Sequence, residues 1–260
     1  VTDPIYSRLL MTFLFAVIIA QASFAAFPEL DLAVSHALTD GAGSFVATHG
    51  PLPVLNAVMK WSMETVALLV VLGTLAGWVG GWLRGAALRC AIFATVNVLI
   101  APALIVNLLL KANLGRARPV NITEFGGTAN FTPAWQWADQ CARNCSFTSG
   151  EVSVTATLTL CAVVLAWPWL NGHRRQRAVL AGLALVVIVA AMRVSLGRHF
   201  LSDSLFSGLI SAGVALASYR VLAIGRARTQ MGLSDLRPLA LWAQSLLQTA
   251  TDRAERWLRA

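Results

Sequence analysis

The chain has 260 residues, 57% of them apolar and only 12% charged, with a mean hydropathy of +0.67. Soluble domains carry about 25% charged residues, so this chain lacks the charge to cover a water-facing surface, which excludes a soluble enzyme and a disordered tail. The net charge of +8 would suggest nucleic acid in a soluble protein; here most arginines lie between long apolar runs, so membrane topology accounts for them and no nucleic-acid partner is expected.

A helix that crosses a bilayer needs about 20 mostly apolar residues. Six stretches qualify, at 8–27, 62–83, 88–110, 152–170, 177–197 and 204–224. The expected fold is therefore all-α: a six-transmembrane-helix bundle over 1–224, followed by a cytoplasmic segment over 225–260. The first stretch also reads as an export signal, because Arg8 precedes the apolar run and 22–26 is rich in small residues. Its length favours a span.

Orientation follows from the cations in the short connections. Arg84 and Arg89 join the second and third spans. His173, Arg174, Arg175 and Arg177 join the fourth and fifth, and Arg220, Arg226 and Arg228 follow the sixth. All fall on one side, expected to be cytoplasmic, as are both termini. Trp78, Trp82, Trp167 and Trp169 sit at that end of their spans, where amphipathic rings anchor at the interface. The long loops 28–61 and 111–151 fall on the other side. Trp135 and Trp137 in the second loop are candidates to dip into the outer leaflet. Residues 233–259 alternate Leu236, Leu239, Trp242, Leu246, Leu247, Trp257 and Leu258 with Arg237, Arg253, Arg256 and Arg259. That pattern reads as an amphipathic helix on anionic lipid, or as a plain solvated tail.

Cys90 and Cys161 fall inside spans as small buried residues. Cys141 and Cys145 share the external loop, where an oxidising compartment permits pairing; two free thiols are the alternative. No His or further Cys pair accompanies them at zinc-ligand spacing, and neither a metal nor another cofactor is expected.

Three polar stretches converge on the external side, where polar residues beside a membrane are costly without a function. Lys111, Arg116 and Arg118 put three cations within eight residues, against the charge asymmetry of the rest of the chain. Thr148, Ser149, Gly150 and Glu151 precede the fourth span, an arrangement that offers backbone N–H groups to an anion or simply caps a helix. Arg193, Arg198, His199 and Asp203 lie between the fifth and sixth spans. His199 and Asp203 are four residues apart, the spacing that brings side chains together on one helical face.

Together these stretches resemble the tripartite signature of the type 2 phosphatidic acid phosphatase superfamily, the lipid phosphate phosphatases. The family pattern is Lys, six residues, Arg-Pro; then Pro-Ser-Gly-His; then Ser-Arg, five residues, His, three residues, Asp. Lys111 is followed by six residues and Arg118-Pro119, and Arg193 by five residues, His199, three residues and Asp203. The chain departs from the pattern in three places: Thr148 replaces the Pro, Met192 replaces the Ser, and Glu151 stands where the family has its general-acid His.

The resemblance implies a metal-independent phosphatase. His199 attacks phosphorus to form a phosphohistidine, and Asp203 orients His199. Lys111, Arg118 and Arg193, with Ser149 and the Gly150 N–H, hold the phosphoryl oxygens. Glu151 takes the proton-transfer role, with His36 and His49 of loop 28–61 as the alternatives to it. Arg116 and Arg198 are expected as additional substrate contacts, which suits a headgroup with more than one phosphate. Lipid A is then the first substrate expected, with undecaprenyl pyrophosphate and phosphatidylglycerol phosphate open. A lipid phosphotransferase and a non-catalytic anionic-lipid binder or transporter are the competing readings. The expected location is a bacterial inner membrane, with the site facing the periplasm.

Overall fold

A computed structural model describes residues 4–40, 43–238 and, within 241–252, residues 241, 242, 244, 245, 248, 249, 251 and 252. The protein is an all-α polytopic membrane protein. Its helices are α1 (Pro4–Ala26), α2 (Leu30–His36), α3 (Leu52–Val79), α4 (Gly85–Asn113), α5 (Gly150–Ala166), α6 (Gly172–Ser195), α7 (Leu201–Val221) and α8 (Ile224–Gln230). Six of these, α1 and α3 to α7, are long and apolar enough to cross a bilayer. Their lipid-facing positions carry exposed apolar side chains such as Phe15, Leu68, Leu108 and Leu183, as expected where lipid replaces water.

The expected spans differ from the observed ones mainly at α3. The hydropathy pattern starts that span at 62, but the helix begins at Leu52. Asn56, Lys60 and Glu64 lower the local hydropathy, yet they lie four residues apart and occupy one face of a continuing helix. α4 contains Pro102, which has no N–H to donate, and the segment Leu99–Leu110 is wound with i→i+5 hydrogen bonds around it.

Between spans, polar side chains rather than hydrophobic contrast fix the register, because lipid tails are as apolar as leucine. Asn97 on α4 donates to Ser218 on α7 at 2.8 Å, and Thr95 on α4 donates to Thr74 on α3 at 2.8 Å. α5 and α7 approach closely along small residues. Ser153 and Ser211 share a 3.0 Å hydrogen bond, and Ser207 donates to the Ser149 carbonyl at 2.8 Å. This seam sets the start of α5 beside the start of α7, where the second and third motifs lie.

The antiparallel arrangement brings the ends of α4 and α6 and the starts of α3, α5 and α7 to one end of the bundle. Residues 114–149 fold over that end. Cys141 and Cys145 are paired in a disulfide. Trp135 packs its ring on Phe147 and Phe206 at 4.7 and 5.3 Å, so it is partly used in packing, whereas Trp137 is 77% exposed. At the opposite end, α8 packs under α4: Ala227 and Met231 join Leu83, Ala87 and Cys90, and Arg228 donates to the Val164 carbonyl at 2.9 Å. The expected amphipathic helix over 233–259 lies partly outside the described residues, which omit 239, 240, 243, 246, 247, 250 and 253–260; those described between 241 and 252 are helical.

Candidate active site

The three motifs meet around one cavity of about 600 Å³ at the covered end of the bundle. Lys111 and Asn107 reach it from α4, Gly150, Glu151 and Val154 from α5, Arg193 from α6, and Arg118, Arg198 and His199 from the connecting loops. Thr48, Asn56, Lys60, Trp61 and Glu64 close the remaining wall from α3 and the turn before it. This α3 wall is the part that the motif spacing missed, and the early start of α3 is what carries it into the site.

His199 sits in the loop just before α7, not within a helix as the four-residue spacing suggested. Gly197, at φ +60°, turns the chain there, and a side chain at that position would run into Phe45 and Val120. The His199 ring is 1% exposed, and its Nδ1 lies 2.8 Å from the Ser146 carbonyl oxygen. A carbonyl only accepts, so Nδ1 carries the proton and Nε2 keeps its lone pair. Burial lowers the imidazole pKa to about 3, the Asp203 hydrogen bond opposes that shift, and the positive charges of Lys111 and Arg193 add to it. The ring is therefore neutral at physiological pH, the form a nucleophile requires.

The Asp203 carboxylate lies 3.6 Å from His199 Nδ1. Its closer partners are Arg116 Nη1 at 2.6 Å, the Ser146 hydroxyl and the Phe200 N–H at 2.8 Å. Asp203 thus orients the ring chiefly by fixing Ser146, whose carbonyl holds Nδ1, and by capping the first turn of α7.

Arg116 corrects an expectation. It was expected as an additional substrate contact, but it is 1% exposed and does not line the cavity. One guanidinium nitrogen binds Asp203, and the other binds Asp31 of α2 at 2.8 Å. Its Nε donates to the Thr132 carbonyl at 2.8 Å, and its plane lies 4.2 Å from the Phe200 ring centroid. The planar fork suits two carboxylates at once. Asp31 also accepts from the Ser202 N–H at 2.8 Å. The charge excess that looked like phosphate recognition is here a buried support for the loop that carries His199. Gly115 makes this approach possible: its φ is +66°, and a Cβ there would collide with the Ala138 carbonyl oxygen.

Ser149 is also not a cavity residue. It is fully buried and caps α5 by accepting from the Val152 N–H at 3.5 Å. Its neighbour Gly150 does face the cavity, and a side chain there would press on the Asn107 amide. Lys111 is 7% exposed. Arg118 donates to the Asn144 carbonyl at 2.9 Å, and its pKa is lowered by burial and by the charge of Arg198, against the pull of Glu151 and Asp203. Arg198 is solvent-exposed at the cavity wall.

Glu151 is ion-paired to Arg193 at 3.0 Å. With the Asn56 amide in its hydrogen-bonding orientation, the Asn56 nitrogen donates to Glu151 at 3.2 Å and its oxygen accepts from Arg193 at 3.1 Å. The Arg193 Nε is buried with no hydrogen-bond partner among the described residues, a donor left for a ligand oxygen. His36 packs against Phe125 at 4.7 Å, and neither His36 nor His49 lines the cavity, so nothing in the geometry offers them for proton transfer. Among the described residues, no three His, Cys, Asp or Glu side chains cluster as metal ligands would.

Three curated relatives bear the name lipid A 4'-phosphatase. The protein of Rhizobium leguminosarum is 39% identical over 122 residues, 46% of this chain and 50% of that one. The protein of Rhizobium etli (strain ATCC 51251 / DSM 11541 / JCM 21823 / NBRC 15573 / CFN 42) is 38% identical over 120 residues, 46% and 45%. The protein of Francisella tularensis subsp. novicida (strain U112) is 30% identical over 191 residues, 72% and 83%. The matches thus span about half the length of the two Rhizobium proteins and most of the Francisella protein. No solved structure matches the chain. The PAP2 superfamily profile matches residues 89–224, a range that holds all three motifs and runs from α4 to α7. With a neutral histidine, its carboxylate support and a ring of cations gathered by those four spans, the chain belongs to the PAP2 superfamily.

Proposed function

We propose that this protein is a membrane lipid phosphatase that removes a phosphate from lipid A on the periplasmic leaflet of a bacterial inner membrane. The observation that carries the reading is His199: a neutral ring, held in one tautomer by Ser146, in the wall of a cavity that also presents Lys111, Arg118, Arg193 and Arg198. The three relatives named lipid A 4'-phosphatase supply the substrate class. The arginines at the end opposite the cavity, among them Arg84, Arg89, Arg174, Arg175 and Arg226, support the orientation and a cytoplasmic position for both termini.

In the first step His199 Nε2 attacks phosphorus. An N–P bond forms, the P–O bond to the sugar breaks, and the sugar oxygen takes up a proton from solvent. Lys111, Arg118, Arg193 and the Gly150 N–H bear the charge on the phosphoryl oxygens, and such placement of charge supplies most of the catalysis in phosphoryl transfer. The imidazolium character of the phosphohistidine is offset through Ser146 and Asp203. In the second step water attacks phosphorus, the N–P bond breaks, and inorganic phosphate leaves. Glu151, already placed by Arg193 and Asn56, accepts the proton of that water.

The test uses the purified chain with lipid A carrying labelled phosphate. Phosphate appears in solution, an acid-labile phosphoprotein accumulates briefly, and His199→Ala abolishes both. Label that moves to a second lipid instead of water makes the protein a phosphotransferase. Binding without either product makes it a lipid binder and overturns the reading.

A further inference from the structure

The cavity is much larger than one phosphate requires, and its α3 wall carries groups that the chemistry above does not use. Lys60 and Glu64 follow Asn56 at successive four-residue steps. At 1.5 Å per residue, each step lies about 6 Å deeper along the helix. Asn56 meets Glu151 and Arg193 at the phosphoryl level, so Lys60 and Glu64 lie roughly one and two turns further into the membrane. Ionisable side chains within a span are costly and belong with a partner, a pathway or a ligand. Lys60 has no carboxylate within ion-pairing distance among the described residues; its ammonium lies over the ring of Trp61, 5.1 Å away. Glu64 has no cation within ion-pairing distance among the described residues. Both line the active-site cavity, and both continue into a crevice beside Glu151 whose other walls include Met59, Met63, Val154 and Val189. The wall thus grades from cations, through an amide, an ammonium and a carboxylate, to apolar side chains.

We infer that Asn56, Lys60 and Glu64 form a linker subsite, which reads the hydrogen-bonding segment between the phosphate and the acyl chains of the substrate. The inference rests on the phosphatase reading and adds its selectivity. Lys60 donates to ester or amide carbonyls or to hydroxyls. Glu64 only accepts, so it needs a donor on the ligand. An N-acylated saccharide lipid offers amide N–H and hydroxyl donors at that depth. A diacylglycerol phosphate offers carbonyls and no donor below its phosphate. A site built to hydrogen-bond a substrate donor rejects an analogue that lacks it, because its own polar group is then left unpaired. The subsite therefore selects amide-linked and hydroxyl-bearing lipid phosphates over glycerol diesters.

The test is the ratio of kcat/KM for lipid A to kcat/KM for phosphatidic acid, measured for the full chain in the same detergent micelles. Glu64→Leu lowers this ratio by about tenfold or more, and Glu64→Gln, whose amide oxygen still accepts, restores part of it. Lys60→Met lowers turnover of both lipids, because both carry carbonyls. A ratio that stays within about twofold of wild type in Glu64→Leu overturns the subsite, even if both rates fall. If the wild-type chain hydrolyses neither lipid, the phosphatase reading fails on its own. The ratio of dissociation constants for the same two lipids then decides the subsite, and again a ratio unmoved by Glu64→Leu overturns it.

Discussion

Arg116→Met isolates the buried support from the phosphate site. Arg116 is the shared counter-charge of Asp31 and Asp203, with all three side chains at most 1% exposed. Removing one partner from a buried ion pair costs about 3–5 kcal/mol, because the remaining charge is left without compensation. Methionine keeps much of the arginine's volume against Phe200, so the loss is electrostatic more than steric. For a domain of this size each kcal/mol shifts Tm by roughly 2–4 °C, so Tm falls by about 6–20 °C. Arg116→Lys recovers only part of this, since one ammonium cannot reproduce the fork that bridges two carboxylates and the Thr132 carbonyl. The stability of Arg116→Met also depends on pH in a defined direction. Burial already raises the Asp31 pKa and Arg116 opposes that shift, so loss of the cation lets the folded-state pKa rise further above the unfolded value of about 3.9. Stability is then regained as pH falls through the raised folded value, because the native state binds the extra proton. The assay is thermal unfolding in micelles at two pH values alongside steady-state kinetics. An Arg116→Met protein with a wild-type Tm and a KM raised about tenfold would refute the assignment and return Arg116 to the substrate.

The remaining expectations concern the nucleophile, the proton acceptor and the backbone. With His199 held at about 3 against an unfolded value near 6.5, the native state binds fewer protons than the unfolded chain in that window, so this group's contribution to stability is present above pH 6.5 and declines as pH falls. Accordingly kcat/KM, once corrected for the second ionisation of the substrate phosphate, has no acid limb near 6.5; a limb that survives the correction shows a histidine that titrates normally. Glu151→Gln lowers kcat by roughly 10²–10⁴-fold, the usual worth of an acid/base group, and leaves phosphoprotein that builds up because its hydrolysis is slowed; loss of activity without that accumulation places Glu151 in the first step instead. Gly115→Ala forces a Cβ into the Ala138 carbonyl at a positive φ, so Tm and activity fall together; a variant with wild-type values of both would show that this turn relaxes without disturbing Arg116.

The spans and the cavity cations were legible because both leave linear signals. Apolar runs of bilayer length mark the helices, and fixed intervals separate Lys111 from Arg118 and Arg193 from His199. Arg116 and Ser149 were misread because sequence reports charge and hydroxyls but not the direction in which they point. Arg116 lies two residues from Arg118, yet it turns inward where Arg118 turns to the cavity. Its partner Asp31 lies in a short helix far away in the chain, and no spacing rule connects the two. The α3 wall was hidden for a different reason. Asn56 and Lys60 make their segment look like loop in a hydropathy average, although with Glu64 they recur at four-residue intervals and mark one face of a long helix. The interval was the signal that could have found it.

The Asp31 contacts carry a consequence for the order in which the chain is made. Arg116 follows Asp31 by 85 residues in the chain, and Ser202 follows it by 171. The carboxylate therefore lacks Arg116 for the first 85 of those residues and Ser202 for all 171. Only when α7 is inserted do Asp31, Arg116 and Asp203 come together, and the same event delivers His199 to its carbonyl. A chain arrested before α7 therefore holds an unfinished electrostatic knot. Assembly of the buried charge cluster and placement of His199 both wait for α7, so a molecule whose His199 is held against Ser146 is one in which α7 is already in place.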